Sequence, residues 1–198
     1  VNHALGKNLI GAFHQPHLVF IDTSALRSLP RRELVSGMAE VVKHALIRDE
    51  ELFAFLEDRL EDVVAMELDP QTLDWLIARN VGIKAEVVTA DEKEGGLRAI
   101  LNYGHTIGHA IESATEYGRY KHGEAVILGL IGAGEIARRE ELWPEQERRR
   151  QDALLERLGV PEGLASVATE RILARTKTDK KRVNGKSRLI LGRRIGEV

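Results

Sequence analysis

The chain of 198 residues is long enough for one well-buried core with an appendage and too short for two full-sized domains. Hydrophobic residues make up 43% and charged residues 30%, which is typical of globular proteins and argues against disorder. The formal net charge of −2 provides no general attraction to nucleic acid or to an anionic membrane, so neither is expected as a partner. Cysteine is absent, which excludes disulfides and thiolate metal ligands and fits a cytoplasmic setting.

The N-terminal segment has a pattern of its own. Glycine and proline precede the apolar run at residues 18–21, which ends at Asp22 and predicts a buried strand. A single strand needs a sheet to join, and the rest of the chain offers almost none. We therefore expect residues 1–24 to be a remnant of, or linker from, an upstream domain, and residues 25–198 to form a second domain.

From Pro30 onward the apolar residues recur with a helical period. One stripe is formed by Leu34, Met38, Val41 and Ala45. Further helices are predicted over residues 50–66, 70–90, 98–116, 122–141, 145–158 and 169–178. Asp69 is the predicted cap of the helix that begins at Pro70, and residues 187–192 are the only later strand candidate. The predicted fold class is mainly α, with a short β remnant at the N-terminus and a small strand near the C-terminus.

Polar side chains recur at helical spacing within residues 98–112. Steps of four, three and four residues separate Arg98, Asn102, His105 and His109. If this whole segment is helical, these side chains share one face. Gly104 and Gly108 would let another element or a ligand approach that face closely.

Three histidines and one carboxylate suggest a metal site. Two histidines four residues apart are, taken alone, more often surface or core residues than ligands, which weakens the case from His105 and His109. A third histidine, His122, opens the next apolar helix, and Glu40 lies among small residues and can complete the set. Catalytic zinc takes three protein ligands and keeps an open position, and imidazole is its commonest ligand. The alternative for Glu40 and Lys43 is an ordinary surface ion pair.

Five segments, in their order, resemble the motifs of the 3-dehydroquinate synthase family. They are GKNLIGAFHQP at residues 6–16, GMAEVVKHALI at 37–47, IKAEVVTADEKEGGLRAILNYGHTIGHAIE at 83–112, HGEAV at 122–126 and TDKK at 178–181. The resemblance implies that Glu40, His105 and His122 bind Zn²⁺ or Co²⁺. It also implies conversion of 3-deoxy-D-arabino-heptulosonate 7-phosphate to 3-dehydroquinate with release of phosphate, a lyase step of the shikimate pathway.

The resemblance further implies which residues act on this sugar-acid phosphate. Catalytic roles fall to Lys43, Lys84, Asn102 and His109. Substrate binding falls to Lys7, Asn8, Arg98 and one or both of Lys180 and Lys181. His109 is our candidate for proton transfer, because it lies one helical turn from a metal ligand.

The family also uses NAD, for which this chain has no recognisable site. It contains neither a G-x-G-x-x-G turn nor an alternating strand–helix series. The family carries its nucleotide-binding half upstream, so we expect NAD to be bound mainly by that domain and this half alone to be inactive. The resemblance implies a homodimer for the full-length enzyme.

Three alternatives remain open from the sequence. The first is another sugar-phosphate cyclase that makes an inosose or a valiolone. The second is a metal-dependent alcohol dehydrogenase with a helical His-rich domain, although those proteins generally use Asp where this chain has Glu40. The third is a non-catalytic helical module in which the histidines are structural or only bind metal.

Overall fold

A computed structural model describes residues 11, 14–92, 96–176 and 188–198. These residues are mostly helical, which confirms the predicted fold class. The α-helices assigned in them are α1 (Arg31–Arg48), α2 (Glu50–Ala65), α3 (Pro70–Ala90), α4 (His105–Ala114), α5 (His122–Arg139), α6 (Glu145–Leu158) and α7 (Thr169–Thr176). Short 3₁₀ helices lie at Thr23–Ser28, Leu97–Asn102 and Leu164–Ser166. No helix in this part of the chain is both long and apolar enough to cross a bilayer.

The core is organised around α1 and α5. The predicted α1 stripe is buried at every position, which confirms its assignment as the core-facing side. The main cluster joins side chains of α1, α2, α5 and α6, among them Leu46, Ile47, Phe53, Leu56, Ile127, Leu130, Leu154 and Leu155. Burying each of these large side chains contributes about 1.5–3 kcal/mol, so the two central helices are held firmly in place.

Two aspartates start the helices that flank α1. Oδ1 of Asp69 accepts a hydrogen bond from the Thr72 N–H at 3.0 Å, which confirms the predicted cap of α3. Asp49 caps α2 in the same way and also forms an ion pair with Arg79 of α3. Because the Asp49 carboxylate is buried, this pairing offsets its desolvation and ties the start of α2 to α3.

The predicted strands are not paired in the residues that the structure describes. The run at 18–21 joins no ladder there, and Leu18 and Phe20 are 82% and 86% exposed. Residues 188–192 also join none, and residue 187 lies outside the described part. One isolated antiparallel bridge joins Arg194 to Glu197. The division into an upstream remnant and a second domain stays a prediction.

The prediction of one continuous helix over residues 98–116 is wrong. The segment Leu97–Asn102 is a 3₁₀ helix, and α4 begins only at His105. Between them Gly104 has a φ of 75°, in the left-handed region that glycine adopts without strain. Arg98 and Asn102 therefore do not share a helix face with the histidines.

The close approach of α5 explains this break. A Cβ atom built on Gly129 of α5 would lie 2.0 Å from the carbonyl oxygen of Gly104. A Cβ atom on Gly108 would lie 3.0 Å from the carbonyl oxygen of Ala125. The expectation that Gly104 and Gly108 admit a neighbouring element is confirmed, and that element is α5.

A buried histidine predicts acid sensitivity of the fold. His44 of α1 is 5% exposed, and its Nδ1 lies 2.6 Å from Oδ1 of Asn80 in α3. Burial, followed by the charge of Lys43, lowers the pKa of His44 from 6.5 to about 4. As the pH falls, His44 therefore becomes protonated in the unfolded chain near pH 6.5, before it does so in the folded chain. We expect up to about 3 kcal/mol of stability to be present above pH 6.5 and lost as the pH falls to 4.

Urea unfolding of the protein and of His44→Gln across this range measures that loss. Glutamine can keep the hydrogen bond to Asn80 but does not titrate. The free energy of unfolding of His44→Gln should therefore fall less steeply with decreasing pH than that of the wild type. Parallel pH profiles for the two proteins would contradict the assignment to His44.

Candidate metal centre

The predicted metal ligands come from three helices and meet at one point. Glu40 lies in α1, His105 is the first residue of α4, and His122 is the first residue of α5. Oε1 of Glu40 lies 3.3 Å from Nε2 of His105 and 3.4 Å from Nε2 of His122. The His122 side chain is 45% exposed, so the point where they meet is accessible from solvent.

The second ring nitrogen of each histidine has a partner behind the ring. Nδ1 of His105 lies 3.1 Å from the carbonyl oxygen of Tyr103. Nδ1 of His122 lies 3.2 Å from Oε2 of Glu112. With Nδ1 occupied in both rings, the Nε2 atoms face Glu40. Histidines that bind metal are typically held this way, by a carbonyl or carboxylate on the far nitrogen.

Lys43 supports the carboxylate of Glu40. Its side chain is buried, and Nζ donates a hydrogen bond to Oε2 of Glu40 at 2.5 Å, which leaves Oε1 to the histidines. Burial lowers the pKa of Lys43, Glu40 opposes that shift, and the charge of Lys84 adds to it. The alternative of an ordinary surface ion pair is therefore wrong.

The charges at this point are strongly coupled. Burial raises the pKa of Glu40, but hydrogen bonds from His105 and His122 and the charge of Lys43 outweigh it and hold that pKa well below its usual range. The carboxylates of Glu112 and Glu40 raise the pKa of His122 to about 9. At neutral pH, a cation that binds to His122 would have to displace a proton from it.

These donors fit a divalent cation. Two imidazole nitrogens and one carboxylate oxygen converge from separate elements and leave one side open, as in catalytic zinc sites. A second set is possible, because the ring nitrogens of His105, His109 and His122 lie within 4.8 Å of one another. We favour Glu40 over His109, because one of its oxygens is already within 3.4 Å of both Nε2 atoms and it brings a negative charge.

His109 lies beside the proposed ligands. Its ring centroid is 5.3 Å from that of His105 and 5.7 Å from that of His122. Its side chain is exposed, whereas that of His105 is only 12% exposed. This places His109 where a bound molecule could reach it.

The other predicted site residues make local contacts, are exposed, or lie outside the described part of the chain. Nη1 of Arg98 donates to the carbonyl oxygen of Glu92 at 2.8 Å, and Nδ2 of Asn102 donates to that of Ala99 at 3.2 Å. Lys84 is exposed on α3. Four predicted residues lie outside the described part of the chain: Lys7, Asn8, Lys180 and Lys181.

Two features of the site were missed from the sequence. Glu112 follows His105 by seven residues, or two helical turns, and this spacing could have placed it on the same face. The second feature is the contact between α1 and α5, in which the Gly123 N–H donates to Oγ of Ser36 at 3.0 Å. No spacing in the sequence predicted this contact. A Cβ atom on Gly123 would lie 2.0 Å from the carbonyl oxygen of Ser36.

Comparison with known sequences gives matches along the whole chain. A family model described as 3-dehydroquinate synthase C-terminal matches residues 37–182, and one described as 3-dehydroquinate synthase N-terminal matches residues 1–36. A 3-dehydroquinate synthase from Gloeobacter violaceus is 52% identical over 200 residues, which cover 100% of this chain and 54% of that protein. One from Picosynechococcus sp. is 50% identical over 199 residues, with coverage of 100% and 54%. The chain thus spans about half the length of these curated relatives.

Solved structures share the fold of this chain. A 2-epi-5-epi-valiolone synthase from Streptomyces hygroscopicus, with NAD⁺ and Zn²⁺ bound, superposes with a TM-score of 0.88 at 28% identity and covers 100% of this chain and 54% of its own. A 2-deoxy-scyllo-inosose synthase complexed with carbaglucose-6-phosphate, NAD⁺ and Co²⁺ has a TM-score of 0.83 at 35% identity, with coverage of 100% and 55%. Because the C-terminal family model covers most of its length, this chain belongs to the 3-dehydroquinate synthase family.

Proposed function

We propose that this chain is the metal- and substrate-binding half of a 3-dehydroquinate synthase. The complete enzyme would convert 3-deoxy-D-arabino-heptulosonate 7-phosphate to 3-dehydroquinate and phosphate. The observation that carries this proposal is the convergence of Glu40, His105 and His122, because a divalent cation held there would lower the pKa of a sugar hydroxyl toward neutral pH. Relatives about half identical to the chain bear the name of this enzyme.

In this proposal Glu40, His105 and His122 hold Zn²⁺ or Co²⁺. The bound ion would supply Lewis-acid chemistry, which lowers the pKa of substrate hydroxyls. Lys43 keeps Glu40 ionised and oriented through its 2.5 Å contact. His109 is exposed beside the ligands and would exchange protons with the bound substrate.

The carboxylate and the phosphate of the proposed substrate require positively charged side chains to bind them. Arg98 can form paired hydrogen bonds with a carboxylate or phosphate, whereas lysines act as point charges. We assign Lys84 and Asn102 to the reacting part of the substrate. The remaining contacts are assigned to Lys7, Asn8 and Lys180 or Lys181, with the phosphate at one of these two last lysines.

The partners proposed for the whole enzyme follow from the family. NAD would be held mainly by an N-terminal domain, whose family model matches residues 1–36 of this chain. The enzyme would act as a homodimer in the cytoplasm on a small-molecule sugar-acid phosphate, without nucleic acid or membrane. The NAD assignment is supported by two similar proteins that are solved with NAD⁺.

A second candidate function is that of another sugar-phosphate cyclase. It is favoured by the TM-scores of 0.88 and 0.83 with the valiolone and inosose synthases. Those proteins are 28% and 35% identical to the chain, whereas the dehydroquinate synthases reach 52%. The sequence comparison therefore favours the substrate that bears a carboxylate.

Phosphate release by the full-length protein distinguishes these functions. With NAD and Zn²⁺ present, we expect release from the heptulosonate phosphate and none from a seven-carbon sugar phosphate that lacks the carboxylate. His105→Ala should abolish the release together with bound zinc. Release from the second sugar phosphate alone would identify a valiolone-type cyclase, and a protein without stoichiometric zinc would point to a structural role for the histidines.

A further inference from the structure

Glu112 is a buried carboxylate for which the proposed function has no role. It lies in α4, is 4% exposed, and places Oε2 at 3.2 Å from Nδ1 of His122 in α5. Burial of a carboxylate is costly unless a donor or a positive charge accompanies it. Its contact with His122 spans the interface between the two helices that carry the histidine ligands.

This contact determines which nitrogen of His122 is offered to a ligand. A neutral imidazole that donates from Nδ1 has the lone pair of Nε2 available for coordination, so a cation that displaces the second proton of His122 would bind at Nε2. In His122 that Nε2 atom points to Oε1 of Glu40, at 3.4 Å. If the ring turned over, Nδ1 would take this position and the rest of the ring would shift away from Glu40.

The two histidine ligands differ in how securely they are held. His105 is 12% exposed in its side chain and is fixed from behind by a backbone carbonyl, which no side-chain replacement can remove. The His122 side chain is 45% exposed, so packing restrains its ring much less. The orientation of His122 therefore depends on the side chain of Glu112.

We propose that Glu112 is a positioning residue for the metal centre. It holds the His122 ring with Nε2 turned toward Glu40 and, through the hydrogen bond at Nδ1, makes Nε2 a stronger donor to a divalent cation. Glu112 acts only through His122. This inference rests on the proposed metal site, so its test must separate the two.

Zinc affinity of variants is the first measurement. Loss of such an outer partner lowers metal affinity by about 10–100-fold, so we expect about a 10-fold loss in Glu112→Gln and about a 100-fold loss in Glu112→Ala. Glutamine preserves size and hydrogen bonding, so Glu112→Gln should fold as the wild type does. Glu135→Gln is the matched control, because it makes the same change at the far end of α5, where Glu135 pairs with Arg138. It should bind zinc like the wild type.

NMR of the His122 ring is the second measurement, because a purely structural role for Glu112 would not change it. A slowly exchanging Nδ1 proton of His122 should appear in the wild type without and with zinc, and should shift or vanish in Glu112→Gln. Unchanged zinc affinity together with an unchanged Nδ1 resonance would overturn the inference. If the wild type bound no zinc, the metal proposal would fail, while the resonance of the metal-free protein would still show whether Glu112 orients His122.

Discussion

Replacement of Gly123 by alanine is expected to force α1 away from α5 and to abolish tight zinc binding. The new Cβ atom would lie 2.0 Å from the carbonyl oxygen of Ser36 and 2.6 Å from its carbonyl carbon and Cα. These are backbone atoms, so no side-chain rotation can relieve the clash. Overpacking costs about 1–3 kcal/mol in a core that can relax, and here the shift would also separate Glu40 from His122. Urea unfolding and zinc titration of the variant measure both effects.

Gly82→Ala is the matched control for this experiment. Gly82 lies within α3, and a Cβ atom placed on it meets nothing within 4 Å. Alanine there should stabilise the protein by about 0.4–1 kcal/mol, because it restricts the unfolded chain. A Gly123→Ala protein as stable as the wild type, with zinc retained, would show that α1 and α5 do not depend on this contact.

Replacement of Glu40 by glutamine is expected to lower zinc affinity more than replacement of a residue that only hydrogen-bonds to a ligand, such as Glu112. Glu40 accepts contacts from Lys43, His105 and His122, and all three would lose the negative charge that draws them together. Removing a residue that only hydrogen-bonds to a metal ligand lowers affinity by up to about 100-fold. We expect the loss of zinc affinity in Glu40→Gln to be larger than that. Isothermal titration with Zn²⁺, together with the visible spectrum of Co²⁺, provides the measurement.

Two further variants show whether the loss comes from coordination. Glu33→Gln removes another α1 carboxylate, which pairs with Lys121 beside the start of α5, and should leave zinc binding intact. His109→Ala tests the set of three imidazoles. Zinc retained in Glu40→Gln but lost in His109→Ala would show that His109, and not Glu40, is the third ligand.

Helix limits were predictable wherever local signals mark them. The predicted helices 70–90 and 145–158 coincide with α3 and α6. Proline opens or precedes both, Asp69 caps one, and Gly159 follows the other. Such signals act through backbone geometry within a few residues, so they do not depend on the rest of the fold.

The segment before α4 could not be predicted in this way. Its apolar and polar residues have helical spacing through Gly104, but the chain turns there because Gly129 of α5 comes against it. The burial of Lys43 likewise depends on neighbouring helices. Its spacing from Glu40 is equally compatible with a surface ion pair, and only packing against the other helices removes it from water.

The amino-acid sequence by itself determined the helical class, the main helices, and the residue types at Glu40, His105 and His122, because periodicity, caps and donor chemistry are local properties. Tertiary structure decided how closely these three side chains meet, since they stand in three separate helices, of which α1 is distant in the chain from α4 and α5. It also decided which ring nitrogens face inward, through Tyr103 and Glu112. The physical reason is that a coordination point is defined by atoms within a few ångströms, and such distances are set by how closely α1, α4 and α5 pack.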